Sequence, residues 1–221
     1  MKLKNYEFKS DPYQHQLDTL KSSAHRNLFA LFLEMGLGKS KILLDNAGML
    51  FEEGKISGLL IVSPKGNLNN WDSNEISRHL PERIKRNVLV WQPNHTQRWT
   101  KAFKDMVQND STGVLNIFLV NVEAFATVKA CTHVEEFLVT HDAMMAIDES
   151  TTIKNPKAKR TKHLIKLGPL ADYRRILTGF PITKAPLDLY SQCYFLSPNL
   201  LGFSSFYAFQ ARYAITQSRQ M

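Results

Sequence analysis

A chain of 221 residues with 43% hydrophobic content can bury one sizeable core and leave a short appendage. Its formal charge of +8 and pI near 9.5 favour a polyanionic partner and leave the fold open. Two cysteines make no disulfide framework, no apolar run reaches the ~18 residues of a membrane span, and the start MKLKNYEFKSDPYQ lacks a signal peptide's apolar centre, so a soluble intracellular protein with no membrane partner is expected.

Short apolar runs follow one another at 28–33, 59–62, 88–91, 115–120, 143–147 and 175–177. Amphipathic stretches such as KILLDNAGMLF and QRWTKAFKDMV lie between them. Apolar runs without alternation fit strands buried on both faces. Strand, helix, strand at this spacing predicts an α/β fold with a mostly parallel central sheet and helices on both faces. The rhythm breaks at Pro198 and Gly202, so residues 1–196 are expected to form the main domain and 197–221 a helical appendage. In open parallel sheets ligands bind beyond the carboxyl ends of the strands, which singles out the segments after 28–33, 143–147 and 175–177.

The first run leads into Glu34, Met35, Gly36, Leu37, Gly38, Lys39 and Ser40. This is the tail of a phosphate-binding loop, G-x-x-x-x-G-K-[ST], with Leu33 where the pattern has its first glycine. Gly36 and Gly38 let backbone N–H groups curl towards phosphate oxygens, Lys39 would reach the β- and γ-phosphates, and Ser40 would ligate Mg²⁺. A helix opening at this point presents its positive end to the anion.

The run at 143–147 ends in Asp148-Glu149, within MMAIDESTTIKN. Adjacent carboxylates at a strand end suit a division of roles, with Asp148 holding Mg²⁺ through its water shell and Glu149 orienting and deprotonating an attacking water. The last run ends in ILTGFPITKAP, where Thr178-Gly179 reads by default as a turn. From Lys154 to Arg175 there are eight Lys or Arg and one acid, Asp172, which is +7 of the net +8. Such a run is either a solvated helix face or a nucleic-acid footprint. Trp71 and Trp91 read as core, the seven His show no metal-ligand spacing, and the aromatic stripe Phe203, Phe206, Tyr207, Phe209 and Tyr213 reads as packing within its own domain.

Taken together, PYQ at 12–14, EMGLGKS, LIVSPKGNLNNW, DES…IKN and LTGFPI stand in one order. That order resembles motifs Q, I, Ia, II and III of superfamily-two helicases, and within them the sucrose-nonfermenting, chromatin-remodeller-like branch. Members of this branch usually show EMGLGKT, DEAH.IKN and LTGTP, and often lack the first glycine of the phosphate loop.

The resemblance implies a RecA-like P-loop lobe that binds ATP with Mg²⁺ and couples hydrolysis to movement on DNA. It places Gln14 on the adenine edge and gives Thr178 and Gly179 the coupling of ATP site to DNA site. It puts Ser63, Pro64, Lys65, Asn121, Lys154, Asn155, Lys157, Lys159 and Arg160 on a DNA backbone, duplex rather than single-stranded. Ser150-Thr151 and Phe180 depart from the family pattern, which puts the fine coupling, not ATP binding, in question. Such enzymes hydrolyse ATP between two lobes, and no stretch here resembles the second. A fragment of a longer protein, or a partner lobe on another chain, is therefore expected. The alternative is a lone regulatory module that binds nucleotide or DNA without turnover. The compact spacing and the DEST variant suggest the cytoplasm of a bacterial or virus-infected cell rather than a nucleus.

Overall fold

All six strands of the single sheet run parallel, in the order β1-β6-β5-β2-β4-β3. The computed structural model describes residues 6–108 and 113–214. Along the chain come α1 (Gln14–Ser23), β1 (Leu28–Phe32), α2 (Lys39–Glu52), β2 (Gly58–Ser63) and α3 (Lys65–Asn70). A π turn, Trp71–Glu75, joins α3 to α4 (Ile76–His79). Then follow β3 (Arg86–Val90), α5 (Gln97–Gln108), β4 (Leu115–Asn121), α6 (Val128–Thr140), β5 (Ala143–Asp148), α7 (Lys159–Leu167), β6 (Tyr173–Thr178), α8 (Leu189–Leu196) and α9 (Phe206–Tyr213). Each apolar run of the sequence is a strand.

The middles of the central strands β2, β4 and β5 are continuous apolar runs because both faces are covered. Leu60 and Val62 of β2, Phe118 and Val120 of β4, and Met145 and Ile147 of β5 enter one core with Phe103, Phe137, Leu164 and Phe195. The residues between them, Leu59, Ile61, Leu119 and Ala146, enter the other core with Leu20, Ile42, Leu43 and Trp71. Alternation survives in direction and not in polarity. Helices α1–α4 thus cover one face and α5–α8 the other.

Residues 197–214 turn back on this body. Tyr190 of α8 meets Phe206 and Phe209 with ring centroids 5.3 and 5.4 Å apart, and Phe203 meets Phe209 at 5.2 Å. Residues 215–221 of the expected appendage lie outside the described residues. No helix among the described residues is long and apolar enough to cross a membrane.

Arg175, counted in the sequence with the basic run, lies in β6 with no exposed surface. Its guanidinium donates to Asn46 Oδ1 at 2.9 and 3.1 Å, to Ser23 O at 3.1 Å and to Asn27 O at 3.1 Å, tying the end of α1 and the middle of α2 to the sheet. Burial pushes its pKa down to about 10. Arg174 is half-buried and donates to Phe195 O. These two charges belong to the interior, so the exposed basic run ends at Lys166.

On the edge of the sheet opposite the candidate site, Asn87 donates to Asn116 Oδ1 at 3.1 Å, and Asn116 Nδ2 lies 3.1 Å from His141 Nε2. His141 Nδ1 lies 3.0 Å from Phe137 O. A carbonyl only accepts, so Nδ1 carries the proton and Nε2 accepts from Asn116; a second proton would set donor against donor. Burial first of all holds the His141 pKa below its ordinary 6.5. The unfolded chain therefore takes up this proton first. The stability it contributes is complete above pH 6.5 and is lost as pH falls from there through the folded value. Thermal melts between pH 7.5 and 5 are expected to show a fall that His141→Gln reduces; an equal fall in the variant would remove His141 as its source.

Candidate nucleotide and phosphate site

β6 lies between β1 and β5, so the carboxyl ends of these strands bring the loops beginning at Leu33, Glu149 and Gly179 to one sheet edge. A cleft of about 730 Å³ opens there. Met35, Gly36, Gly38, Lys39 and Ser40 form its floor with Asp148 and Glu149, and Tyr13, Gln16, Arg78 and His79 stand on its walls.

Leu33 fits the loop without being glycine. Glu149 is the only non-glycine residue with positive φ among the described residues, so position 33 needs no left-handed backbone. The Leu33 side chain packs on the core beneath α1 and α2, and only its carbonyl faces the loop. Gly38 does need to be glycine: its φ is +77°, and a Cβ there would stand 2.2 Å from Gln16 Nε2. Lys39 Nζ donates to Leu33 O at 3.0 Å and Glu34 O at 3.2 Å. Among the described residues the N–H groups of Lys39, Ser40 and Lys41, in the first turn of α2, meet no backbone acceptor. They are the orphan donors of a helix start, collected beside an ammonium group, and they suit an anion.

The Asp148 carboxylate is held from three directions. Ser63 Oγ and Trp71 Nε1 donate to Oδ2 at 2.9 and 3.0 Å, and Glu149 N donates to Oδ1 at 3.0 Å. Ser63 has no exposed surface, so its side chain serves Asp148 and cannot grip DNA; the sequence expectation is corrected here. Trp71, read as core, is buried at 2% exposure and is also this donor. The π turn that begins at Trp71 re-phases the helix and sets the indole towards β5. Ser63 could have been found from topology, because Val62 pairs with Ile147 and puts the next residues of β2 and β5 side by side. Nothing in the sequence signals the Trp71 bond. Trp71→Phe keeps the apolar ring and removes the donor, with an expected loss of about 2 kcal/mol in urea unfolding; an unchanged midpoint would mean that the bond carries no stability.

Glu149 is half-buried with φ 47° and ψ 59°, a left-handed backbone that is strained for a side chain with Cβ. Burial first, and the Asp148 charge second, raise its pKa above the ordinary 4.5, while Lys39 and the Thr178 hydroxyl pull the other way. Thr178 is buried beneath the acid, and a Cβ on Gly179 would meet Met35 N at 3.5 Å. The third loop therefore touches both of the others.

Gln14 does not line the cleft. Its amide is exposed and donates to Asp18 at 2.9 Å, which corrects the adenine-facing expectation. Gln16, two residues on, takes the position at the wall: its Oε1 accepts from Tyr13 N at 3.0 Å and its Nε2 donates to Leu37 O at 3.3 Å.

Of the residues expected on DNA, Lys65, Asn155, Lys157 and Lys159 are exposed, and Pro64, Asn121 and Arg160 are half-exposed. Asn121 Nδ2 donates to Glu123, and Asn155 Oδ1 accepts from Lys157 N. Lys154 is engaged within the chain, donating to Thr183 and, at 3.3 Å, to Asp188.

The family model of the SNF2-related domain matches residues 15–220. The chain is 30% identical over 168 residues to the chromatin-remodelling ATPase INO80 of Debaryomyces hansenii, covering 76% of this chain and 12% of that protein. It is 30% identical over 194 residues to helicase SWR1 of Cryptococcus neoformans, covering 86% of this chain and 14% of the relative. The chain thus spans well under a fifth of the length of these relatives. Among solved structures, the Sulfolobus solfataricus SWI2/SNF2 ATPase core in complex with double-stranded DNA matches with a TM-score of 0.72 and 24% identity over 96% of this chain and 41% of that one. The UvsW helicase of bacteriophage T4 matches with a TM-score of 0.58 and 16% identity over 86% of this chain and 62% of that one. These structures share the RecA-like fold. The curated relatives named above and others that match are eukaryotic, chromatin-remodelling ATPases among them, which overturns the expected bacterial or viral cytoplasm. Loop spacing and the residues at 150 and 151 carry no address for a compartment.

Proposed function

The chain belongs to the SNF2-related domain family, and on that premise we propose that it is the ATP-binding lobe of an ATP-dependent DNA translocase. The observation that carries this reading is the single cleft in which Lys39, Ser40, Asp148 and Glu149 meet the free N–H groups of α2. Lys39 and the N–H groups bind the triphosphate. Ser40 and Asp148, the latter through water, fit a hard divalent cation, which takes oxygen ligands and keeps part of its water shell. Mg²⁺, when bound, neutralises charge on the β- and γ-phosphates. Glu149 holds the attacking water and takes its proton. Gln16, Tyr13 and Arg78 stand where the rest of the nucleotide lies. The second RecA-like lobe, in cis or on another chain, closes the cleft and completes the catalytic set.

DNA lies along Pro64, Lys65, Asn121, Asn155, Lys157, Lys159 and Arg160, extended by Lys162 and Lys166 of α7. These residues grip phosphates and do not read bases. Neutralising a phosphate releases counterions, at about −0.9 in the slope of log affinity against log salt per contact on duplex. Replacing Lys157 and Lys159 by Ala in the full-length protein is expected to weaken binding equally on two unrelated duplexes and to flatten that slope by about two units. An unchanged slope would make this segment a solvated face.

A further inference from the structure

Asp188, Ser191 and Gln192 lie on one side of the start of α8, at the spacing that brings helical side chains together. Ser191 and Gln192 are fully buried, and so is Ser150 in the turn after the acid pair. Ser150 Oγ donates to Gln192 Oε1 at 2.7 Å. Gln192 Nε2 donates to Pro181 O at 2.7 Å and to Asp188 O at 2.8 Å. Asp188 Oδ2 accepts from Thr183 Oγ1 at 2.6 Å, Lys184 N at 2.8 Å, Thr183 N at 3.0 Å and Lys154 Nζ at 3.3 Å. One helix end therefore holds the turn that follows Glu149 and the loop that follows Thr178.

The strength of this tie follows from its burial. Ser150 and Gln192 are shut off from water, so breaking the bond between them strands a polar group on each side. The two loops shift together or lose the bond. An alanine at position 150 would have no hydroxyl to make it. We propose that Gln192 is a positioning residue which, through Ser150, carries the nucleotide-dependent placement of the Glu149 turn to the Pro181–Lys184 loop. The Ser150 hydroxyl is thus the link in this path that an alanine would lack. This rests on the nucleotide-site reading above.

Ser150→Ala cuts the path on the acid side only and leaves the Gln192–Pro181 bond in place. The test is hydrogen exchange of the full-length protein with and without saturating Mg²⁺ and ATPγS. Amides 34–40 report nucleotide binding, and amides 179–184 report transmission. In the wild type, nucleotide is expected to slow both, the second by about tenfold. In Ser150→Ala, 34–40 remain protected and nucleotide-free exchange at 179–184 stays within about twofold of wild type. The nucleotide-induced slowing at 179–184 disappears. Gln192→Leu, which cuts both sides, is expected to speed exchange at 179–184 in both states. Equal slowing at 179–184 in wild type and Ser150→Ala, or none in wild type while 34–40 are protected, overturns the proposal. No protection at 34–40 in wild type overturns the nucleotide site itself, and the coupling with it.

Discussion

Glu149→Gln is expected to bind ATP as the wild type does and to hydrolyse it about 10²–10⁴-fold more slowly, the range of a lost general base. The amide keeps the shape and cannot accept the water's proton. The raised pKa sets two further results. If Glu149 is the base, the working form is the ionised carboxylate, and turnover is expected to fall as pH drops through a value above the ordinary 4.5. A carboxyl raised in the folded state holds its proton more tightly folded than unfolded, so its ionisation near neutral pH lowers stability. Glutamine removes that charge from beside Asp148, and the variant is expected to melt no lower than wild type. Loss of turnover together with a lowered melting temperature would mean damage to the fold and not a missing base. Turnover at the wild-type rate would remove Glu149 from the role.

Lys39→Ala acts at the other step. The ammonium group reaches the carbonyls of Leu33 and Glu34 across its own loop, so its stem is already set over the phosphate position. Two charge-assisted hydrogen bonds to a triphosphate are worth on the order of 3 kcal/mol or more, which is at least ~10²-fold in affinity. Titration calorimetry with Mg²⁺ and ATPγS reads this directly. Lys39 is half-exposed and serves no core contact, so the melting temperature should stay near wild type. Affinity unchanged in this variant would mean that the loop does not hold the phosphates.

The sheet was legible because its strands carry unbroken apolar runs with no polar alternation, which suits strands covered on both faces. The meeting of the candidate phosphate loop and the acid pair in one cleft was legible because the chemistry expected of them fixes residue type and spacing: glycines for curled backbone, a lysine for charge, adjacent carboxylates at a strand end. The support around them was not. Ser63 sits beside Asp148 only because β2 is paired with β5, and strand order has no local signature. Trp71 reaches the same carboxylate by way of a π turn, which no periodicity marks. Arg175 looked like one more positive charge until strand pairing put it inside. Gln16 and Gln14 are both polar and two residues apart, and only the turn of α1 decides which of them meets the loop.

ATP hydrolysis by the full-length protein, measured without DNA, with single strands and with duplex, bears most directly on the reading of this chain as a DNA translocase lobe. Duplex is expected to raise turnover in the wild type, and Glu149→Gln is expected to slow turnover by about 10²–10⁴-fold in all three conditions while still binding nucleotide. A wild-type rate that no DNA changes, or Glu149→Gln turning over as fast as the wild type, would contradict that reading.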